Sequence, residues 1–400
     1  MIKNIKIVLV GLMLFGCIDP HKIEIEATKS YYIINGTISN SFEPQTISIF
    51  KTNDASKFKS SQFTSTISPK ATDVLPVAKG KVQIIENETN TFDLIETEPG
   101  YYITPNGFFG KIGATYKLLV TLADGNKFES SVEKMLPVTE IKSYFDTFNE
   151  AGIVDKQSSS GKISTNDVYI DFDDPASEAN FYQWKWTTYE TQVICKSCRQ
   201  GFYDRPNNDL ATKGVCLSDV NLPIDNYFDY YCQALCWDLI ISNKIDIFSD
   251  VYTNGLPQKS KLVAQVPLLQ SNPCLVVLEQ FSLNANAFRY LKLINDQSVN
   301  TGTLADTPPA PIKGNVSNKA NPSEIILGYF TASAIAEQRI WLDRKNARGA
   351  AYNGIFKYKN NRTINPEEPN LSRPFIPLAV CEPSNSRTPI APKGWRFGQN

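Results

Sequence analysis

The chain has 400 residues, 42% of them hydrophobic, so it can bury a sizeable core and is not disordered throughout. Its 40 basic and 41 acidic residues nearly cancel, which argues against a nucleic-acid partner because such a partner requires a basic surface. The only histidine, His21, lies near the N-terminus, in a segment expected to be a flexible tether. A catalytic triad that uses histidine and a zinc site with two histidines on one helix are therefore excluded. We therefore expect two domains, no cofactor and no catalysis.

Residues 1–16 have the pattern of a secretory signal peptide. Lys3 and Lys6 precede an apolar run that is too short to span a bilayer. The run ends in the sequence LFGC, which resembles a lipobox, so we expect Cys17 to carry the lipid. The alternative is an ordinary signal peptide with a cysteine in its core. Residues 17–28 are predicted to be an extended tether, and the protein is expected to be held at a membrane by its lipid alone.

Residues 29–138 alternate polar and apolar side chains, which predicts an Ig-like or prealbumin-like β-sandwich. The clearest element is a hairpin around Asp124-Gly125, for which we expect a type I′ turn. The Ser/Thr/Lys-rich stretch at 51–71 lacks apolar periodicity and is predicted to be a long exposed loop. The predicted strands are Tyr31–Ile38, Gln45–Phe50, Lys81–Glu86, Thr91–Ile95, Gly100–Thr104, Tyr116–Ala123 and Lys127–Val132.

Residues 139–400 are predicted to form a second β-rich, sandwich-like domain with a cysteine-rich insertion at 194–237. One helix is expected at Asn284–Asn300, because its apolar residues share one face and Ser282 or Asn284 can cap it. A strand is predicted at Ile325–Trp341.

An alternating aromatic row follows an earlier predicted strand of the second domain, Val168–Phe172. Tyr182, Trp184 and Trp186 share one side of their strand. A buried core row is favoured over a ligand platform, because large aromatic side chains dominate sandwich cores.

Seven cysteines follow Cys17, and an exported chain meets oxidising conditions, so disulfides are expected. The alternative is a four-thiolate zinc site from Cys-x-x-Cys at 195–198 and Cys-x-x-x-Cys at 232–236. Seven is an odd number, and Cys274, in an apolar run, is the expected buried free thiol. The disulfide candidates are Cys195, Cys198, Cys216, Cys232, Cys236 and Cys381.

Two further groups of residues are candidate sites. A carboxylate cluster before Pro175 could supply oxygens to calcium, although a strand end followed by a turn is favoured. An aromatic group in the insertion either contacts a ligand or partner or packs the insertion onto the domain, and the sequence leaves both open. The carboxylates are Asp171, Asp173 and Asp174, and the aromatic residues are Tyr227, Phe228, Tyr230 and Tyr231.

The chain resembles the DUF4249 lipoproteins of Bacteroidota, a family of unknown function, over nearly all of the mature sequence. The resemblance is carried by Cys-x-Asp-Pro at 17–20, the strand at 31–36, Gly-Tyr-Tyr at 100–102 and Cys-Trp at 236–237. Its most specific part is the sequence GNVxNxxNPxEIxLGYF at 314–330. Family members often end with two close cysteines before a final tryptophan, whereas this chain has only Cys381 there.

Members of this family are commonly encoded beside TonB-dependent transporters. The resemblance therefore implies a lipid-anchored accessory subunit of such an outer-membrane β-barrel, which helps to capture or gate cargo and faces the cell surface rather than the periplasm. No catalytic residue is established for the family. Two alternatives remain: a structural or adhesive surface lipoprotein with the Ig-like domain as spacer, and, less favoured, a carboxylate-based glycan hydrolase.

Overall fold

The computed structural model describes residues 30–52, 74–154, 161–176, 178–205, 214–299, 311–348, 351 and 354–398. Cys17, the predicted tether and most of the predicted loop at 51–71 lie outside these ranges. Within them the chain is mainly β, as the alternating sequence pattern predicts.

The first ten strands are short, and several of them alternate buried with more accessible side chains. In the strand Thr115–Thr121, for example, every second residue is buried. The strands are β1 (Tyr32–Ser39), β2 (Thr46–Thr52), β3 (Val74–Pro76), β4 (Lys81–Glu86), β5 (Asn90–Asp93), β6 (Ile95–Glu98), β7 (Tyr101–Ile103), β8 (Thr115–Thr121), β9 (Lys127–Ser130) and β10 (Glu133–Lys134).

The next part of the chain contains longer strands. They are β11 (Ile141–Val154), β12 (Lys162–Asp173), β13 (Phe181–Thr191), β14 (Ile194–Arg199), β15 (Gly201–Asp204), β16 (Val215–Ser218), β17 (Tyr227–Tyr231), β18 (Trp237–Ile241), β19 (Asp246–Ser249), β20 (Pro257–Pro267) and β21 (Cys274–Leu283). The remaining elements are α1 (Ala285–Val299), β22 (Val316–Asn318), β23 (Phe330–Ser333), β24 (Ile335–Leu342), α2 (Ile355–Asn360) and β25 (Arg387–Thr388).

Two six-stranded sheets form a first sandwich. One has the order β23-β1-β2-β7-β6 with β3 beside β2, and the other has the order β22-β9-β8-β4-β5 with β10 beside β8. Buried side chains of both sheets, among them Ile34, Ile84 and Leu118, belong to one core. Because β22 and β23 follow α1 in the chain, this sandwich extends beyond the predicted range 29–138.

A second sandwich consists of the sheet β11-β12-β20 and the sheet β24-β21-β13-β18-β25, in which β19 also pairs with β13. Its core contains Tyr182 and Trp184, with Trp186 packed against it. The aromatic row is therefore the inner face of β13, as the core interpretation predicts.

The predicted hairpin between β8 and β9 is present, but the expected turn type is wrong. Gly125 has a φ of 88°, whereas Asp124 is not among the positive-φ residues in the described ranges. The N–H of Leu122 donates to the carbonyl of Asn126 over 2.9 Å, which closes a three-residue loop. Such a loop places only its last residue in the left-handed region, so one glycine is sufficient.

Helix α1 confirms the prediction at Asn284–Asn300 and begins at its predicted cap. The side-chain oxygen of Asn284 accepts a hydrogen bond from the N–H of Ala287 over 2.8 Å. The predicted strand Ile325–Trp341, in contrast, is divided: β23 ends at Ser333 and joins the first sandwich, whereas β24 joins the second.

Candidate functional site

The cysteine-rich insertion and part of the C-terminal segment form one lobe. We define this disulfide lobe as residues 194–236 together with 362–382. Two short antiparallel ladders, β14 with β17 and β15 with β16, form its frame. Such two-stranded ribbons are marginally stable by themselves, so this lobe requires other stabilising links.

Three disulfides provide these links. Cys195 pairs with Cys232 and Cys198 pairs with Cys216 inside the insertion, whereas the third bond joins the insertion to the C-terminal segment through Cys236 and Cys381. These are the six cysteines that the sequence offers as disulfide candidates, and Cys274 is free and buried.

The disulfide pairing leaves no thiolate for the zinc alternative. The sulfur atoms of Cys195, Cys232 and Cys236 lie within 4.8 Å of one another, but all three are oxidised. The Cys-x-x-Cys pair at 195–198 is divided between two different disulfides. The four sulfur atoms of the zinc hypothesis are therefore not available as one ligand set.

Buried ion pairs also connect the two segments of the lobe. The carboxylate of Asp229 accepts two hydrogen bonds of 2.6 Å from the guanidinium of Arg362 and one of 2.6 Å from the hydroxyl of Ser197. Burial by itself raises the pKa of Asp229, but these hydrogen bonds dominate and hold the pKa below its usual value. The bidentate geometry aligns the insertion with the C-terminal segment.

A second buried carboxylate, Glu367, pairs with an arginine of its own segment and reaches the insertion through Tyr230. The hydroxyl of Tyr230 donates to Glu367 over 2.5 Å, and the guanidinium of Arg373 donates to the same carboxylate over 2.6 Å. Burial raises the pKa of Tyr230, so its phenol stays protonated and keeps donating. No sequence pattern marks Glu367, Arg362 or Arg373, and the one signal in this part of the chain is Cys381, a candidate disulfide partner outside the insertion.

The aromatic group of the insertion serves mainly to pack it. Tyr230 is fully buried, Phe228 stacks on Phe202 at 5.4 Å between ring centroids, and Tyr227 lies under the guanidinium of Arg362 at 4.6 Å. Tyr231 differs because it is 47% exposed. Of the four aromatic candidates, Tyr231 is the one that is largely accessible to a partner.

The outer surface of the lobe is rich in large apolar side chains. On β16, the alternate residues Val215 and Leu217 are both exposed, while the cystine sulfur of Cys216 points to the other side of the strand. Further exposed apolar residues of the lobe are Val220, Ile224, Tyr231, Leu235, Ile364, Leu371, Phe375 and Leu378. The number of exposed large apolar side chains makes this lobe the candidate interaction surface.

The three aspartates considered for calcium have separate partners. Asp171 and Asp173 each pair with a lysine on a neighbouring strand, whereas Asp174 is buried and accepts a hydrogen bond from the hydroxyl of Tyr182 over 2.8 Å. Strand β12 ends at Asp173, as the turn interpretation predicts. The described residues therefore provide no shared oxygen cage at this position.

Together these features define a class of protein: a β protein of two sandwiches that carries a lobe held by disulfides and buried ion pairs. Within the described ranges, neither helix combines the length and the apolar character required to cross a bilayer.

The chain belongs to the family described as Domain of unknown function (DUF4249), whose model matches residues 18–339. The match includes the cysteine-rich insertion but ends before the C-terminal part of the lobe. No curated protein and no solved structure matches the chain.

Proposed function

We propose that this chain is a lipid-anchored, non-catalytic accessory subunit of a TonB-dependent transporter in an outer membrane, where it helps to capture or gate cargo. The anchor is Cys17, which follows a positively charged flank and a short apolar run. The disulfide lobe is the surface that contacts the transporter.

The observation that carries this proposal is the accessible apolar surface of the lobe. Val220, Leu371 and Phe375 are each more than 80% exposed, although their side chains would gain free energy by burial. Disulfides restrict the unfolded chain, so the lobe remains folded without hiding these residues. An apolar surface on a rigid frame is suited to burial against a partner protein.

The buried charges of the lobe support a binding role rather than catalysis. Asp229 and Glu367 are each neutralised by an arginine from the C-terminal segment. Catalytic carboxylates require access to a substrate, whereas these two carboxylates are almost completely buried and fully hydrogen-bonded.

The proposal is tested by isolating the full chain from membranes in a mild detergent and identifying the proteins that accompany it. We expect an outer-membrane β-barrel transporter to co-purify in a stable ratio. Cys17→Ser is the matched control for anchoring, and this variant should leave the membrane fraction. Failure of any β-barrel to accompany the wild-type chain would contradict the proposal.

Growth on defined nutrients distinguishes this role from that of a structural or adhesive spacer. A transporter subunit is expected to be required for growth on at least one nutrient that depends on the co-purified transporter. Unchanged growth on every such nutrient after deletion would favour the spacer.

A further inference from the structure

An open groove of about 410 Å³ lies between the two sandwiches. One wall is the outer face of β1, β2 and β7, and the other is the outer face of β13 and β21. The first wall contributes the hydroxyls of Thr37, Thr46, Ser48 and Tyr101. Because the groove is open to solvent, it suits an extended ligand better than a small molecule that must be enclosed.

The hydroxyls of the first wall are not used by the fold. Among the described residues, none of these four side chains makes a hydrogen bond to another protein group. Their neighbours differ: Ser39 and Gln45 bond to each other at the rim, where the N–H of Ser39 donates to Gln45 over 2.7 Å. The wall therefore presents hydroxyls that are free to donate and to accept.

The second wall carries two opposite charges that do not form an ion pair. Lys185 and Glu279 lie directly opposite each other on β13 and β21 and attract each other. Among the described residues, however, no hydrogen bond or close ion pair joins either side chain to another group. The ammonium of Lys185 instead lies 4.7 Å from the centroid of the Phe281 ring. Burial lowers the pKa of Lys185 and raises that of Glu279, which indicates that both charges have lost part of their hydration.

The opposite face of β13 carries an ion pair that is part of the fold. Glu190, also on β13, binds Arg344 at 2.5 Å, and both side chains are buried. A neighbouring lysine and glutamate that stay apart in a groove leave both a donor and an acceptor for a ligand. A hydroxyl between them can accept from Lys185 and donate to Glu279.

We propose that this groove binds a neutral oligosaccharide, which rests on the proposed function because the saccharide is the cargo to be captured. The facing charges cancel, which favours an uncharged ligand. Hydroxyls on the first wall, and the ammonium and carboxylate on the second, match the donor and acceptor properties of sugar hydroxyls.

A peptide fits this groove less well. Extended peptides commonly bind at the open edge of a sheet, where their backbone completes a ladder. Both walls here are sheet faces, and β1, β2, β13 and β21 are paired on both sides. Their backbone groups are therefore unavailable to a peptide, and recognition must use side chains.

The test is to apply the full chain in mild detergent to an array of neutral hexasaccharides, with hexa-alanine as the peptide probe, and to titrate each saccharide that binds. We expect saturable binding of at least one neutral hexasaccharide. Lys185→Met and Glu279→Gln should each lower its affinity about tenfold or more, because each removes a charge-assisted hydrogen bond. The bound saccharide should be recovered intact.

Lys117→Met is the matched control, since Lys117 is a half-buried lysine outside the groove that pairs with Glu129 at 2.9 Å, and it should not change the affinity. Thermal unfolding distinguishes binding from folding. Lys185→Met removes a partly dehydrated charge together with its attraction to Glu279 and its contact with the Phe281 ring, so the Tm should change little.

Binding to hexa-alanine alone, no bound saccharide, or wild-type affinity in both groove variants would overturn the assignment. A transporter that co-purifies with a chain that binds no saccharide would refute the groove ligand alone. Saccharide binding without a transporter would refute the proposed function instead.

Discussion

The first sandwich and the disulfide lobe are stabilised in different ways. The sandwich has a continuous core of side chains such as Ile34, Ile47 and Leu118, all fully buried. The lobe has a core of cystines and two tyrosines, Tyr203 and Tyr230, in which Ala379 is the one aliphatic member among the described residues. Ile194 is the other buried aliphatic side chain in the described part of the lobe. Buried carboxylate–arginine pairs supplement this small core.

This difference explains where an interaction surface can form. The inner faces of the sandwich must stay buried, because its core supplies most of its stability. The lobe is held by covalent bonds and ion pairs, so residues such as Phe375 can remain on its surface. If this comparison is correct, disulfide removal should affect the lobe, and core truncation should affect the sandwich.

Removal of the longest disulfide should have the largest effect. Cys236→Ser combined with Cys381→Ser opens a loop with a sequence separation of 145 residues, and the expected loss is about 5 kcal/mol by chain entropy. Hydrogen exchange should show that amides of the lobe lose more protection than those of β1 and β8. The pair Cys198→Ser and Cys216→Ser, with a separation of 18 residues, should lose about 3 kcal/mol. Equal loss of protection in the sandwich would break the comparison.

Truncation in the core of the sandwich should have the next largest effect. Ile47→Ala removes a fully buried side chain, and we expect a loss of about 3 kcal/mol in the free energy of unfolding. Urea denaturation measures this loss, and exchange should be accelerated in the sandwich. Ile95→Ala, at an exposed position in the same sheet, is the control and should change stability by less than about 0.5 kcal/mol. Faster hydrogen exchange in the lobe than in the sandwich of the Ile47→Ala variant would contradict this prediction.

A fall in pH should destabilise the lobe through Asp229 and stabilise the first sandwich through Glu133. The pKa of Asp229 in the lobe is lowered, so its stabilising contribution is present above the unfolded pKa of about 3.9 and is lost as pH falls through the lower folded pKa. Burial raises the pKa of Glu133 in β10, so its favourable contribution is present below the unfolded pKa and is lost as pH rises through the folded pKa.

NMR titration of the two carboxyl groups checks this prediction directly. Asp229 should titrate below free aspartate and Glu133 above free glutamate. Asp229→Asn should remove the acid sensitivity of the lobe ladder β14–β17. Titration of both groups near their unperturbed pKa values would contradict the predicted difference between the two regions.

Calcium should have the smallest effect. Because the aspartates at 171, 173 and 174 have separate protein partners, millimolar calcium should not change the Tm. Asp171→Asn together with Asp173→Asn should also leave the Tm unchanged within error. A clear rise in Tm with calcium, abolished in the double variant, would restore the calcium site.

Local sequence signals predicted the local structure well. The hairpin β8–β9 and the helix α1 were predictable because their signals, alternation with a turn and periodicity with a cap, lie within a few residues of each other. The buried aromatic row on β13 followed from alternation alone. Even so, the residues could not distinguish the type I′ turn from the three-residue loop, since both accept Asp-Gly.

Contacts between distant segments were not predictable from these signals. Strand β23 pairs in parallel with β1, nearly 300 residues earlier, and β22 has only three residues. Neither segment's periodicity specifies its partner. The same limit applies to the lobe. Cysteine spacing indicates disulfides, but it does not determine which pairs form, nor that Arg362 neutralises Asp229 of the insertion.

The central claim, that the lobe docks the chain on a transporter, is tested most directly by comparing two exposed aromatic residues. Phe375 on the lobe is 83% exposed and Phe42 on the first sandwich is 76% exposed. Both Phe375→Asp and Phe42→Asp should fold, because neither side chain is buried. Co-purification in mild detergent should lose the β-barrel partner in Phe375→Asp and retain it in Phe42→Asp. Retention in Phe375→Asp together with loss in Phe42→Asp would contradict the account.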